Sequence, residues 1–147
     1  MSSINPKQAV QNISTEEAFI IFIKFLMFSK HRVIELGSNY GLTAMQTLTL
    51  FLLDRPCPMH SLRKAFNCDA SNITGLIDGL EQKELASRYE SPEDRRIKMV
   101  RLEQRGREIR RSLLHLLGKQ DSPILTKLSP KEYDTFIGLL QKVTQEA

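Results

Sequence analysis

The stretch from Asp69 to Arg101 constrains the fold of this chain more than any other part of it. Asp69 is a strong helix N-cap, and the apolar residues that follow it recur with helical spacing. They are Ile73, Leu76, Ile77 and Leu80. In residues 85–90 and 97–103, apolar and polar side chains then alternate roughly with a period of two. This pattern predicts two strands joined by the charged turn 91–96. A helix followed directly by an arginine-tipped hairpin is the layout of a winged helix.

The polar face of this predicted helix carries small residues rather than long charged ones. Asn72 is suited to a bidentate pair with adenine, and Ser71 and Thr74 suit base edges or phosphates in DNA. A solvated polar face has the same composition, and the hairpin behind the helix decides in favour of double-stranded DNA. The helix positions that we predict to face DNA are Ala70, Ser71, Asn72, Thr74 and Gly75.

The tip of the hairpin carries two adjacent arginines, Arg95 and Arg96. A narrow minor groove concentrates negative potential and favours an inserted arginine, whereas a surface charge cluster contributes little. We predict that both arginines and Lys98 contact DNA. For Lys98 a solvated surface position is the alternative, and the same two interpretations stay open for four other cations, Arg63, Lys64, Lys83 and Arg88.

A helix-turn-helix is predicted upstream of the hairpin. The capping-box pattern Thr43–Gln46 opens an apolar helix over residues 44–53, and the two prolines that follow stop it. Pro58 suits the first position of a third helix, which runs to Phe66, and Asn67 suits a left-handed C-terminal residue. The helix after this turn would be the one that reads DNA.

Long helices are predicted on both sides of this region. A capping box at Ser14 opens a helix to about Glu35, and its residues 19–28 are almost all apolar, which favours burial from several sides, including by a second subunit. Residues 104–117 and the segment after a capping box at Ser129 predict two more helices. The predicted fold is mainly α (α+β), a winged helix-turn-helix domain flanked by N- and C-terminal dimerisation helices.

Length and composition limit the functional classes. The chain has 147 residues, 41% hydrophobic and 26% charged, with net charge +4, which fits one globular domain and permits a polyanionic partner. No apolar run approaches the ~18–20 residues that cross a bilayer, so we expect a cytoplasmic protein with no membrane partner. No serine, cysteine or carboxylate stands in a catalytic spacing, so we expect no enzyme activity and no cofactor.

The order of elements and several of their residues resemble the MarR family of bacterial transcriptional regulators. The run Asp94–Leu102 fits the family's wing pattern D-x-R-x-x-x-V-x-L, and residues 62–66 and 71–81 add to the match. The resemblance implies a homodimer with interlocked terminal helices. It also implies a repressor, less often an activator, that a small molecule or thiol oxidation releases from DNA. Within the wing, it implies that one arginine reaches the minor groove while Asp94 orients an arginine by ion pairing, which adds Asp94 to the predicted DNA-binding residues. We favour Arg96 as the groove arginine because it holds the family's motif position.

This resemblance gives a division of residues 1–147 into parts of one domain. Residues 14–36 and 119–147 would be dimerisation helices, 42–103 the winged helix-turn-helix, and 104–118 a linking helix. The chain departs from the family pattern at three positions that affect stability rather than DNA contact. Glu84 replaces a glycine after the reading helix, Ala86 a bulkier residue, and Glu103 a capping threonine.

An effector pocket is expected where the dimerisation helices meet the reading domain, for a small aromatic or anionic molecule. Helical i, i+4 spacing favours one wall made of three side chains of the first helix, and two later residues are candidates for the other. These candidates are Ile23, Met27, His31, Tyr40 and Met45. Core packing is the alternative interpretation of the same residues.

The two cysteines, Cys57 and Cys68, are candidates for a redox site, and buried inert thiols are the alternative. Cys57, His60 and Cys68 together loosely resemble a metal site but lack a fourth ligand in reach, so we predict no metal. The sequence therefore predicts a sequence-specific DNA-binding regulator, most simply a homodimeric repressor released by a small molecule. The alternatives are a thiol-redox-responsive regulator of the same fold and a winged-helix protein-interaction module.

Overall fold

Six helices and three short strands make up the described part of the chain, residues 13–119 and 127–145 of a computed structural model. In chain order they are α1 (Thr15–Ser38), α2 (Ala44–Leu52), β1 (Cys57–Pro58), α3 (Met59–Phe66), α4 (Ala70–Gln82), β2 (Ala86–Glu90), β3 (Lys98–Leu102), α5 (Gln104–Lys119) and α6 (Pro130–Gln145). The predicted mainly α fold with a small antiparallel wing is confirmed. Helix α1 extends three residues beyond its predicted end.

Side-chain caps start the helices where the sequence predicts them. Ser14 Oγ accepts the backbone N–H of Glu17 at 3.2 Å, and the Glu17 carboxylate accepts the N–H of Ser14 at 3.0 Å. Thr43 and Gln46 form the same reciprocal pair at the start of α2. These bonds satisfy backbone donors that a helix N-terminus leaves unpaired.

The segment before α3 differs from the prediction in two ways: α3 begins one residue later, and a short strand precedes it. Pro58 is the N-cap of α3 rather than its first helical residue. Together with Cys57 it forms β1, at a place where the sequence predicts a turn. Cys57 pairs with Val100 and Pro58 with Met99, at one edge of the sheet order β1-β3-β2. An edge tolerates proline because the missing N–H would have faced away from the ladder.

Strands β2 and β3 form the wing hairpin, with Ala86 opposite Leu102 and Glu90 opposite Lys98. Both strands lie within their predicted ranges. The backbone after α4 turns sharply at Glu84, where φ is +57°, in the left-handed region that glycine favours. The family glycine that Glu84 replaces is therefore explained by backbone conformation, and the chain keeps that conformation with a glutamate.

The structure shows what surrounds the two other residues that depart from the family pattern, Glu103 and Ala86. Glu103, directly before α5, accepts a hydrogen bond from the Ser87 hydroxyl, and this bond lowers the pKa of Glu103. Its carboxylate thus ties the hairpin to the start of α5. Ala86 is 3% exposed, so the small side chain fills a buried position.

Contacts divide the chain into two compact units, residues 1–109 and 110–147. The core of the first unit lies where helices meet the wing, and its most buried side chains include Leu50, Leu62, Ile73, Ile77, Leu80, Leu85 and Val100. Helices α1 and α2 approach closely because Gly37 has no side chain, since a Cβ there would collide with Thr47 Oγ1. The second unit contains α6, which begins with the predicted capping box of Ser129 and Glu132.

Helix α1 exposes an unusual amount of apolar surface. Phe19 is 63% exposed and Met27 is 58% exposed, far above the values expected of large side chains in a core. The other large exposed side chains of this helix are Ile20, Ile21, Phe22, Ile23, Leu26, Phe28 and Ile34. None of the helices in the described ranges is both long enough and apolar enough to span a lipid bilayer.

Candidate nucleic-acid interface

Helix α4 buries one face and exposes the other, as the periodicity predicts. Ile73, Ile77 and Leu80 are at most 1% exposed. The five predicted DNA-facing residues are all exposed: Ala70, Ser71, Asn72, Thr74 and Gly75. The helix is therefore held by its apolar side and presents short polar groups outward.

Asp69 fixes the start of this helix. Its Oδ1 accepts the backbone N–H of Asn72 at 2.9 Å and the hydroxyl of Ser71 at 2.7 Å. These two hydrogen bonds, the backbone one first, lower the pKa of Asp69. The hydroxyl of Thr74 donates to the carbonyl of Ala70 at 2.9 Å.

The exposed polar side chains of α4 thus differ in what they can still bind. Ser71 and Thr74 already donate to the helix start. The side-chain amide of Asn72, by contrast, has no hydrogen-bond partner within the described residues, so both its donor and its acceptor face solvent. This free amide is the group best suited to a base edge.

Asp94 organises the wing turn through the backbone. Its Oδ1 accepts the N–H of Arg96 at 2.9 Å, and its carbonyl accepts the N–H of Ile97 at 2.9 Å. The ion pair with an arginine that the family resemblance implies does not form among the described residues. The side chains of Arg95 and Arg96 are exposed and have no acidic partner in that part of the chain.

A cavity of about 330 Å³ lies between α3, α4 and the wing. Its lining residues are Met59, His60, Arg63, Ala70, Ile73, Thr74, Arg96, Ile97 and Lys98. We call this cavity the cationic notch, because its lining contains three cations, a histidine and no carboxylate. One of the cations, Lys98, pairs with Glu90, which is not part of the lining, at 2.8 Å. The notch brings predicted residues of the reading helix and the wing into one surface. His60 belongs to it, although the sequence singled that residue out only as a weak metal ligand.

Arg88 joins the wing to α4 on the neighbouring side. Its Nη2 lies 2.5 Å from Asp78 Oδ1 and 2.6 Å from Glu81 Oε2. The backbone N–H of Arg88 also donates to Glu81 Oε1 at 2.7 Å. The hydrogen bond to Glu81 is the main reason that the pKa of Arg88 is raised. The sequence left Arg88 among several unassigned cations, since the distance across the two elements cannot be read from it.

The predicted effector residues lie on α1 and at the start of α2. Ile23, Met27 and Met45 are 42%, 58% and 40% exposed, and His31 is also exposed. Tyr40 is half-buried. These side chains are thus open to a ligand or to another protein surface, and their role as a pocket stays a prediction.

Both cysteines are free thiols and half-buried. Burial raises the pKa of Cys57, which disfavours the reactive thiolate. No group of three or more histidine, cysteine, aspartate or glutamate side chains is placed to hold a metal ion in the ranges that the structure covers.

Residues 42–98 match the model of the MarR family. The chain is 26% identical over 110 residues to YhbI of Bacillus subtilis, described as an uncharacterized HTH-type transcriptional regulator, covering 74% of this chain and 71% of that one. A crystal structure of a probable transcriptional regulator from Pseudomonas aeruginosa is 30% identical, with a TM-score of 0.62, and the match covers 82% and 96% of the two chains. The S. aureus MepR–DNA complex has the same fold, with a TM-score of 0.67 and 18% sequence identity. The match covers 92% of this chain and 100% of the MepR chain.

Proposed function

Because the chain belongs to the MarR family of transcriptional regulators, we propose that it is a homodimeric repressor that binds a double-stranded, pseudo-palindromic operator. A small aromatic or anionic effector releases it, and it acts in the cytoplasm without catalytic activity. The observation that carries this proposal is the cationic notch, in which Ala70 and Thr74 of α4 line one surface together with Arg96 and Lys98 of the wing. A protein dimer with two such surfaces contacts half-sites about one helical turn, ~10 bp, apart.

The charges of this surface favour DNA over other partners. Arg95 and Arg96 extend from a turn whose backbone Asp94 already holds, so both guanidinium groups remain available for a minor groove. Asn72 lies on the helix that would enter the major groove. MepR, which shares the fold, has been crystallised with DNA, and this supports the same use of the surface here.

The apolar surface of α1 supports a homodimer. A contiguous exposed apolar surface on a folded protein marks an interaction site. A second copy of the chain carries the same apolar surface, and two such surfaces can pack against each other about a two-fold axis. We assign dimerisation to residues 14–36 and 119–147. Residues 42–103 would form the DNA-binding winged helix-turn-helix, and residues 104–118 the helix that links the two parts. Residues 120–126, 146 and 147 of these parts lie outside the described residues.

Release by a small molecule is favoured over release by oxidation. The raised pKa and partial burial of Cys57 leave little thiolate to react. Ile23, Met27, His31, Tyr40 and Met45 are the residues that we assign to the effector. A redox response through Cys57 or Cys68 would instead make DNA binding sensitive to peroxide.

Selection of bound duplexes from a random DNA pool, with and without oxidant, tests the proposal. We expect one enriched pseudo-palindrome, and binding whose log–log salt dependence has a slope of roughly −0.9 per neutralised phosphate. Light scattering after size exclusion should give twice the chain mass. Absence of salt-sensitive duplex binding at micromolar protein would refute the proposal and favour a winged-helix module that binds protein.

A further inference from the structure

The reading helix α4 carries no positive charge. Residues 70–82 contain no lysine or arginine, yet they include Asp78 and Glu81. DNA affinity depends strongly on neutralising phosphates, and each carboxylate near the backbone opposes it. Some other group must therefore compensate these two acids if the helix is to enter a groove.

The two carboxylates lie on the side of α4 that continues from its exposed polar face. Asp78 follows Thr74 by four residues and so lies one turn along the same face, and Glu81 lies nearly one turn further. Their side chains are 43% and 30% exposed. The repulsion that they would exert on DNA is thus only partly screened by protein.

Arg88 on β2 contacts both acids at once. One nitrogen, Nη2, lies between Asp78 Oδ1 and Glu81 Oε2, at 2.5 and 2.6 Å. The backbone N–H of the same residue donates to the second oxygen of Glu81. The acids and the arginine form one cluster that fastens β2 to α4.

We propose that Arg88 is a positioning residue of the DNA-binding surface, which cancels negative charge along the reading helix and fixes the wing against that helix. This inference rests on the proposed DNA-binding function. Arg88 acts through Asp78 and Glu81 rather than by touching a phosphate, because two carboxylates already occupy its Nη2. The cluster has a formal charge of −1, so a phosphate gains little by approaching it.

Three variants separate compensation from a direct phosphate contact: R88Q, the triple variant D78N/E81Q/R88Q, and the conservative variant R88K. The amides of the triple variant keep hydrogen-bonding groups at all three positions while removing all three charges. Circular dichroism melts show whether each variant is folded. Fluorescence anisotropy with the selected duplex then measures affinity across a series of salt concentrations.

Compensation predicts that R88Q weakens binding by about tenfold, since two carboxylates lose their counter-ion. The triple variant should return to within about threefold of the wild-type affinity with an unchanged salt slope. R88K, which keeps a cation between the acids, should bind nearly as well as the wild type. The triple variant decides the question even if R88Q alone does not fold.

A direct phosphate contact gives the opposite pattern. The triple variant would then bind as weakly as R88Q, and its log–log salt slope would fall in magnitude by roughly 0.9. That result would overturn the inference while leaving the proposed function standing. A triple variant that regains its melting temperature but not its affinity would overturn it too. A wild-type protein that binds no duplex would refute the proposed function, and this inference with it.

Discussion

The carboxylate of Asp94 accepts the backbone N–H of Arg96 at 2.9 Å, so the acid of the wing motif holds the turn rather than the guanidinium. Short aspartate side chains commonly stabilise turns in this way. The guanidinium of Arg96 is consequently free to reach outward, at the edge of the cationic notch. This arrangement separates the two residues experimentally, because one shapes the wing and the other would contact DNA.

Replacing Arg96 with alanine should weaken operator binding by about tenfold or more, because it removes one charged groove contact. The dimer and its melting temperature should not change, since the side chain is exposed and has no acidic partner in the described part of the chain. Anisotropy titration measures the effect. K131A removes an exposed cation of α6 and serves as the control. Equal affinity of R96A and the wild type would remove the wing from the mechanism.

Replacing Asp94 with alanine should loosen the wing turn, whereas D94N should not, because an amide oxygen accepts the same backbone N–H. We expect D94A to lower the free energy of unfolding by about 1 kcal/mol and to weaken DNA binding as well. Urea unfolding and anisotropy measure the two effects. If D94N were destabilised as much as D94A, the charge of Asp94 rather than its hydrogen bond would be responsible.

Replacing Glu84 with glycine should stabilise the protein by about 0.5–1 kcal/mol, because a side chain at positive φ is strained and glycine is not. The ion pair lost with Arg105 is 4.0 Å long and exposed, so it contributes little. Q82G is a matched control in the last turn of α4, where glycine should destabilise by up to about 1 kcal/mol. A lower melting temperature for E84G than for the wild type would contradict the claim that the backbone is strained at Glu84.

The lowered pKa of Asp69 makes part of the stability depend on pH. Since the folded pKa lies below the ordinary value of 3.8, the ionised carboxylate stabilises the fold above that value. This contribution is lost as the pH falls through the folded pKa. D69N caps the helix without titrating, so its stability relative to the wild type should rise on acidification. Parallel pH profiles of unfolding for the two proteins would contradict the prediction.

Replacing Phe22 with glutamate should disrupt the proposed homodimer, because a charge would have to be buried in an apolar interface. Phe22 is 48% exposed in the single chain, so the substitution leaves the core intact. Light scattering should show the mass of one chain, and operator binding should fall steeply. The control variant K24Q changes the one polar residue among residues 19–28, and it should remain dimeric. A dimeric F22E protein would place the interface elsewhere.

Local chemistry explains what the sequence predicted well. The caps at Ser14, Thr43 and Asp69 act within three residues, and the left-handed Asn67, with φ of +46°, needs only its own backbone. Helix α4 and the hairpin also follow from spacing alone. The exposed face of α4 was therefore predictable side chain by side chain.

Non-local pairing explains what the sequence did not predict. Cys57 and Pro58 form a strand only because β3 lies beside them, and a Cys-Pro pair by itself has the composition of a turn. The contact between Arg88 and Glu81 likewise depends on how β2 packs against α4. The family resemblance suggested an ion pair for Asp94, but the hydrogen bond to the adjacent backbone takes its place.

Strand β1 and Arg88 attach the wing to neighbouring elements at its two edges. Cys57 and Pro58 join the turn before α3 to the middle of β3, while Arg88 fastens β2 to the reading helix from the other side. The wing is thus joined to the rest of the winged helix at two points, so we expect α4 and the wing to move together. In the proposed homodimer, an effector would release the operator by changing the spacing of two intact readers. It would not need to distort either reader.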